Sequence, residues 1–271
     1  MRSTGNFYRN MLVAGLVLIF STAIYSQQLP RLDQVNLIDL SHAYDDETLF
    51  WPTSPIDFEH NELAYGPSGN GYFYSAYTFA TPEHGGTHLD APIHFAEGAR
   101  TVGQLDINEL YAPAIVINIV DQANANRDYR LLPEDIEAYE SIYGRIQPGS
   151  AVLVRTDWSR FWPEPVAYLG DDTPGDASNL SFPGISGAAA ELLASRDIAM
   201  LGIDTASIDY GLTTTFPVHV VLATNEIPAL ENLTNLAALP AAGAYVLAAP
   251  MKIGEGSGAP ARVIGFVSRT E

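Results

Sequence analysis

Seven short apolar runs punctuate the chain from residue 35 onward, at 35–40, 72–79, 114–120, 150–155, 198–203, 244–248 and 263–267. Each is five to eight residues long and rich in branched or aromatic side chains, which predicts strands rather than helices. Helical spacing recurs between them at 132–143, where Pro133 sits in a first turn that tolerates proline, at 186–195 with its alanine-rich face, and at 227–236. Alternation of this kind predicts an α/β fold with a mixed sheet. Several neighbouring strands lack a helix between them, which argues against a simple doubly wound sheet. No linker or fixed-period repeat interrupts 29–271, so one domain is expected there. The Gly- and Pro-rich stretches 66–71 and 254–260 are candidate rims of a pocket.

The first 28 residues have a different pattern. Arg2 and Arg9 precede an unbroken apolar run at 11–20, and small and polar residues follow. The run is short for a bilayer span, which needs about 20 apolar residues, so the segment reads as a secretory signal peptide. An uncleaved anchor is the alternative. Cleavage leaves no stable membrane span and an exported protein, periplasmic or secreted.

Charge narrows the partners. Thirteen basic residues, among them the single lysine Lys252, face thirty-two acidic ones for a net −19. Loss of the leader would remove two arginines and no acid, giving −21. No basic patch is available for nucleic acid or an anionic surface. With no cysteine there is no thiolate nucleophile, disulfide or sulfur-ligated metal, so any metal must rest on His, Asp, Glu or water.

Of six histidines, three fall in eleven residues, His84-Gly-Gly-Thr-His88-Leu-Asp90-Ala-Pro-Ile-His94. A lone histidine on an apolar segment is more often a hydrogen-bonded core residue than a ligand. Four candidate ligands within one glycine-rich turn reverse that preference and point to a divalent metal, zinc or manganese. One of the histidines could instead serve as acid or base. Elsewhere the residues speak less clearly. His219 lies in an apolar stretch where a core histidine is the default, and Glu231 alone would be a solvated helix charge, although a charge in an apolar region needs a partner. Trp51 could pack or touch substrate. His42 could orient a ligand or cap a turn, and His60 reads as a surface-loop residue.

The stretch from His84 to Phe95 resembles the His-x-Gly-Thr-His-x-Asp-x-Pro-x-His-Phe signature of the cyclase family of metal-dependent hydrolases, which includes kynurenine formamidases and isatin hydrolases. Further matches lie at Asp39-Leu-Ser-His42, Trp51-Pro52, Val152-Leu-Val-Arg-Thr156, Phe182-Pro-Gly-Ile-Ser186, the stretch from Leu201 to Asp209, and His219 followed by Glu231. The resemblance implies a single mixed-sheet domain of the kynurenine formamidase/cyclase (swivelling β/β/α) type. It implies that His84, His88 and Asp90 ligate one ion, that His219 and Glu231 complete a second position in members with two ions, and that His94 moves the proton. Trp51 then corresponds to an aromatic residue against the substrate ring, and a homodimer or larger assembly is implied.

The expected activity is metal-dependent amide hydrolysis. The metal supplies hydroxide near neutral pH by lowering the pKa of water to about 7, and His94 protonates the departing nitrogen. An arylformamidase is the first expectation for the small aromatic amide substrate, with Phe50, Trp51, Tyr65, Tyr72 and Tyr74 as candidate lining. Isatin-type opening of a cyclic amide is the alternative, and a non-enzymatic periplasmic metal- or ligand-binding protein is the rival from another class. Serine-hydrolase elbows, phosphate-binding loops and dinucleotide-binding turns are absent from the sequence.

Overall fold

Alanine at alternate strand positions determines the architecture. A computed structural model describes residues 32–269, so the leader expected at 1–28 lies outside the described residues. The strands are β1 (Val35–Asp39), β2 (Glu59–Pro67), β3 (Phe73–Ala80), β4 (His88–Asp90), β5 (Tyr111–Asn118), β6 (Arg130–Leu131), β7 (Ala151–Arg155), β8 (Gly184–Ile185), β9 (Met200–Ile203), β10 (Ala229–Glu231), β11 (Ala244–Pro250) and β12 (Gly258–Ser268). The α-helices are α1 (Val120–Ala125), α2 (Pro133–Tyr143), α3 (Pro165–Leu169), α4 (Gly187–Ala194) and α5 (Pro217–Thr224).

Eight strands run in the order β1-β12-β11-β5-β7-β9-β10-β4, and a further pairing of β4 with β12 closes the ring. The central run β5-β7-β9-β10 is parallel and the remaining pairs are antiparallel. Strand β12 makes closure possible because one of its edges serves two partners. Gly258 to Pro260 pair with β4, and Ile264 to Ser268 pair with β1.

Ala112, Ala114, Ala151, Ala244, Ala248, Ala259 and Ala261 belong to the barrel-side core, where their small side chains leave room for Leu40, Leu89, Leu153, Met200 and Leu230. A narrow barrel is filled by side chains, so short and long residues must alternate around it. The other face of the parallel strands carries Val152, Val154, Leu201 and Ile203, which pack with α2, α4 and α5 through Ile136, Ala189, Ala190, Leu193, Val218 and Leu222. Burial on both faces explains why these strands read as continuous apolar runs. Ser186 starts α4 by accepting a hydrogen bond at Oγ from the Ala189 amide.

The mixed α/β single domain expected from the sequence is the fold observed, and all seven apolar runs contain strand. One expected element is overturned: 227–236 is not a helix. Glu226 takes a left-handed angle, Pro228 follows, and 229–231 extend as β10 between β9 and β4. Barrel closure prevails over the i, i+3 spacing of Ile227, Leu230 and Leu233. The helix of this region is α5, with Pro217 in its first turn. No helix of the described residues is long and apolar enough to cross a membrane.

Candidate metal centre

Strand alternation delivers the ligands. On β4, His88 and Asp90 face one way while Leu89 enters the core between them, fully buried. On β10, Leu230 enters the same core and Glu231 faces outward, directly across from His88 in the β4–β10 register. A slip of one residue would exchange the ligands with the core leucines. His219 approaches from α5, and His84 folds over through the Gly85-Gly86 turn. Those glycines have φ 142° and 55°. A Cβ at Gly85 would stand 2.1 Å from Phe50 and one at Gly86 2.6 Å from Tyr44, so both backbone angle and space require glycine. Tyr44 fastens the turn, its hydroxyl donating to the carbonyls of Gly85 and Thr87.

Asp90 stands at the centre. Its Oδ1 is 2.7 Å from His84 Nδ1 and 3.2 Å from His88 Nε2, and its Oδ2 is 3.3 Å from His219 Nε2. Glu231 places Oε1 3.2 Å from His219 Nε2 and Oε2 3.4 Å from His88 Nε2. The five residues assigned from the sequence as ligands therefore converge. His94 joins them, its ring stacked on that of His84 at 3.8 Å, and it forms a second group of possible ligands with Asp90 and His219.

The hydrogen-bond partners decide which nitrogens are free. His219 Nδ1 donates to Asp209 Oδ2 at 2.8 Å, because a carboxylate can only accept, so Nε2 is the nitrogen that would offer a lone pair to an ion held between Asp90 and Glu231. Ser257 Oγ donates its single hydrogen to Glu83 at 2.8 Å, so His84 Nε2 donates to that Oγ at 2.8 Å. His84 Nδ1, hydrogen-bonded to Asp90 Oδ1 at 2.7 Å, is then the nitrogen that would turn its lone pair to an ion. His88 Nε2 and Asp90 Oδ2 are buried with no hydrogen-bond partner. Converging ring nitrogens, two carboxylates and two orphaned polar atoms fit a divalent cation. Asp209 and Ser257 hold the rings of His219 and His84 in their orientation.

Charge follows the same arrangement. Burial lowers the pKa of His88, but Asp90 and Glu231 outweigh it and raise the group to about 10. Burial likewise opposes the charged form of His219, yet Asp209, Asp90 and Glu231 hold it well above the usual imidazole range. Asp90 overcomes its own burial through His88 and the other histidines and lies well below the usual carboxylate range. In the absence of an ion, protons stand in for the missing positive charge. His94 behaves differently: burial dominates and pushes it down to about 4, leaving the imidazole neutral near pH 7.

A cavity of about 270 Å³ opens beside the cluster. His84, His88, His94, His219 and Glu231 lie on one side, and Phe50, Trp51, Phe95, Leu169 and Phe216 supply apolar walls. Trp51 is fixed by Phe182 and Phe216 at 6.2 and 6.4 Å between ring centres.

Several sequence assignments change. Glu231 is a buried strand residue and not a solvated helix charge. Tyr65, Tyr72 and Tyr74 do not line the cavity; they are exposed on the β2–β3 hairpin. The 66–71 stretch lies at the tip of that hairpin, whereas 254–260 does reach the cluster through Ser257. His60 belongs to β2, stacked on Tyr77. His42 neither caps a turn with its ring nor touches a ligand; it stacks on Trp162 at 4.2 Å. Sequence reasoning gave no role to Asp209, Glu83, Ser257 or Asn232. Local signals existed only for Asp209, at the end of the motif beginning at Leu201, and for Ser257, within the 254–260 stretch.

The Cyclase family profile matches residues 38–210. The isatin hydrolase of Roseibium aggregatum is 34% identical over 208 residues, covering 74% of this chain and 78% of its own. A kynurenine formamidase of Polaromonas naphthalenivorans is 26% identical over 237 residues, covering 83% and 94%. Among solved structures, isatin hydrolase A from Labrenzia aggregata bound to benzyl benzoate superposes with a TM-score of 0.79 at 31% identity, over 87% of this chain and 94% of that one. An isatin hydrolase bound to the product analogue thioisatinate gives 0.78 at 29% identity, over 88% and 94%. With its His/Asp cluster, closed barrel and matched signature, the chain belongs to the cyclase family of metal-dependent hydrolases.

Proposed function

We propose that the protein is a metal-dependent cyclic amidase that opens a neutral amide ring fused to an aromatic system, of the isatin type, ahead of the arylformamidase activity first expected from the sequence. The observation that carries this reading is the cavity lining: candidate ligands on one side, aromatic walls around them, and, among the described residues, no arginine or lysine. N-formylkynurenine brings an ionised amino-acid tail, and an ionised carboxylate moved out of water without a partner is costly. A flat neutral lactam asks for no such partner. The likeness to isatin hydrolases supports the same choice.

His84, His88, Asp90, His219 and Glu231 would hold zinc or manganese, as one ion or two. When bound, the metal supplies Lewis acidity and charge for the developing oxyanion. Trp51 and Phe216 bound the space for the ring and exclude water from one face. His94, neutral and beside the ligands, takes a proton from water on its free ring nitrogen. It then returns that proton to the nitrogen leaving the carbonyl, so the ring opens to a carboxylate and an aryl amine.

A homo-oligomer belongs to the same proposal. The β2–β3 hairpin makes no strand pairing to the barrel and exposes Leu63, Tyr65, Tyr72, Phe73, Tyr74, Tyr77 and Phe79. A two-stranded ribbon alone is marginal in water, so a second copy is the natural cover.

Isatin and N-formylkynurenine should be assayed side by side on metal-replete protein, then after chelation and after readdition of Zn²⁺ or Mn²⁺. The expected result is preference for isatin in kcat/KM, abolished by chelation and restored by metal. Preference for N-formylkynurenine would overturn the substrate assignment, and full activity after complete metal removal would overturn the mechanism.

A further inference from the structure

Asn232 follows Glu231 at a left-handed angle, φ 53°, and is 3% exposed. Its main chain joins two parts of the site: the amide donates to the Thr205 carbonyl at 2.8 Å, and the carbonyl accepts from Thr87 Oγ1 at 2.6 Å. The side chain is equally committed. Oδ1 accepts from the Tyr168 hydroxyl at 2.8 Å, and Nδ2 donates to the Gly86 carbonyl at 2.7 Å. The orientation of the carboxamide is forced, because a carbonyl can only accept.

The Gly86 carbonyl has a second donor, His88 Nδ1, at 3.0 Å. In the neutral ring that binds an ion, that bond keeps the proton of His88 on Nδ1 and leaves Nε2 facing Asp90 and Glu231. A competitor is close by, since the Gly85 amide lies 3.3 Å from the same Nδ1. Were that amide to prevail, Nδ1 would accept and the proton would move to Nε2, where it blocks the lone pair an ion needs. Two adjacent glycines offer little resistance to a peptide rotation that would favour the amide.

We infer that Asn232, held by Tyr168, is a positioning residue that selects the metal-binding tautomer of His88 by fixing the Gly86 carbonyl. This inference deepens the reading of the cluster as a metal centre and rests on it. Tyr168 suits its part, being fully buried with its hydroxyl on Asn232 Oδ1.

The test uses metal-free full-length protein as wild type, Asn232→Asp and Tyr168→Phe. Zn²⁺ affinity is measured by chelator competition and the Co²⁺ visible spectrum is recorded for each. Ionised aspartate keeps the shape of asparagine but sets an acceptor against the Gly86 carbonyl in place of the donor, so the affinities are compared above the pH at which the variant carboxyl ionises. The expected result is a loss of about 10- to 100-fold in Zn²⁺ affinity with an altered Co²⁺ band, the size seen when partners of ligating groups are removed. Tyr168→Phe keeps the donor and loosens it, for an expected loss between about 3- and 10-fold. A merely structural role would lower the metal-free urea midpoint and leave the affinity and Co²⁺ spectrum of folded protein unchanged, which would overturn the inference. Where Asn232→Asp does not fold, Tyr168→Phe carries the test, and unchanged Zn²⁺ affinity there overturns it. Wild-type protein that binds neither Zn²⁺ nor Co²⁺ would instead sink the metal reading itself.

Discussion

At the scale of single residues, burial decides what an imidazole can do. His94 is pushed down to about 4, so near neutral pH one ring nitrogen stands as an acceptor and can donate only after it has taken a proton. His94→Ala is expected to lower kcat by about 10² to 10⁴ while metal content, read by elemental analysis, stays at the wild-type level. Equal loss of both would place His94 among the ligands, beside Asp90 and His219. The residues differ sharply in how far the sequence revealed them. His84, His88, Asp90 and His94 were legible because their ligand types lie within eleven positions of one another. Glu231 was legible only through the family motif, since its partner His88 is 143 positions away in the chain and meets it by strand register. Asn232 was illegible: an asparagine after a glutamate says nothing until a turn from the other end of the site lies against it.

Elements were legible where the pattern is local and failed where closure of the barrel intervenes. The parallel strands β7 and β9 announce themselves because both faces are buried. β10 does not, because three residues between Pro228 and a left-handed Asn232 hold a strand only if β4 and β9 are already there. The hairpin is a different case, a strand pair whose large apolar side chains stay largely exposed among the described residues. Its seven large exposed side chains, burying on the order of 100 Å² each, would supply about 700 Å² per partner, close to the ~800 Å² of a standard interface. If the proposed homo-oligomer forms through the hairpin, replacement of residues 59–80 by a short Gly/Ser link is expected to give a monomer on light scattering where the wild type gives a larger mass. An unchanged mass would show that the hairpin is not the contact.

For the whole molecule, stability depends on groups far apart in the chain. His42 and His94 are both pushed to about 4 by burial, so between pH 6.5 and 4 the unfolded chain binds protons that the folded one refuses, and stability falls as the solution is acidified. Asp204 acts in the opposite sense. Burial raises it to about 6 against two hydrogen bonds from Thr156, so its stabilising protonation is complete below pH 4 and lost as pH rises through 6. His88 and His219, raised against burial by Asp90 and Glu231, add stability on acidification only above pH 6.5 and are protonated in both states below it, so the two lowered imidazoles show from pH 6 downward. Metal-free protein is expected to lose about 1–2 kcal/mol between pH 6 and 4.5 in urea unfolding, after allowance for partial exposure of the histidines and for Asp204. His42→Phe, which keeps a ring on Trp162, should remove about 1 kcal/mol of that loss. An acid loss as large in the variant as in the wild type would refute the assignment to His42.

Strand β12 has one more consequence. Because it takes β1 along its edge with Val35 opposite Ser268, the first and last strands of the fold lie side by side. Order of synthesis and spatial neighbourhood are therefore decoupled: the last described strand both closes the ring on β4 and carries the first one, β1, along the same edge. The ring cannot shut until the last strand has left the ribosome, and a circularly permuted chain, joined across Val35 and Ser268 and opened at the tip between β2 and β3, would retain every strand pairing of the ring.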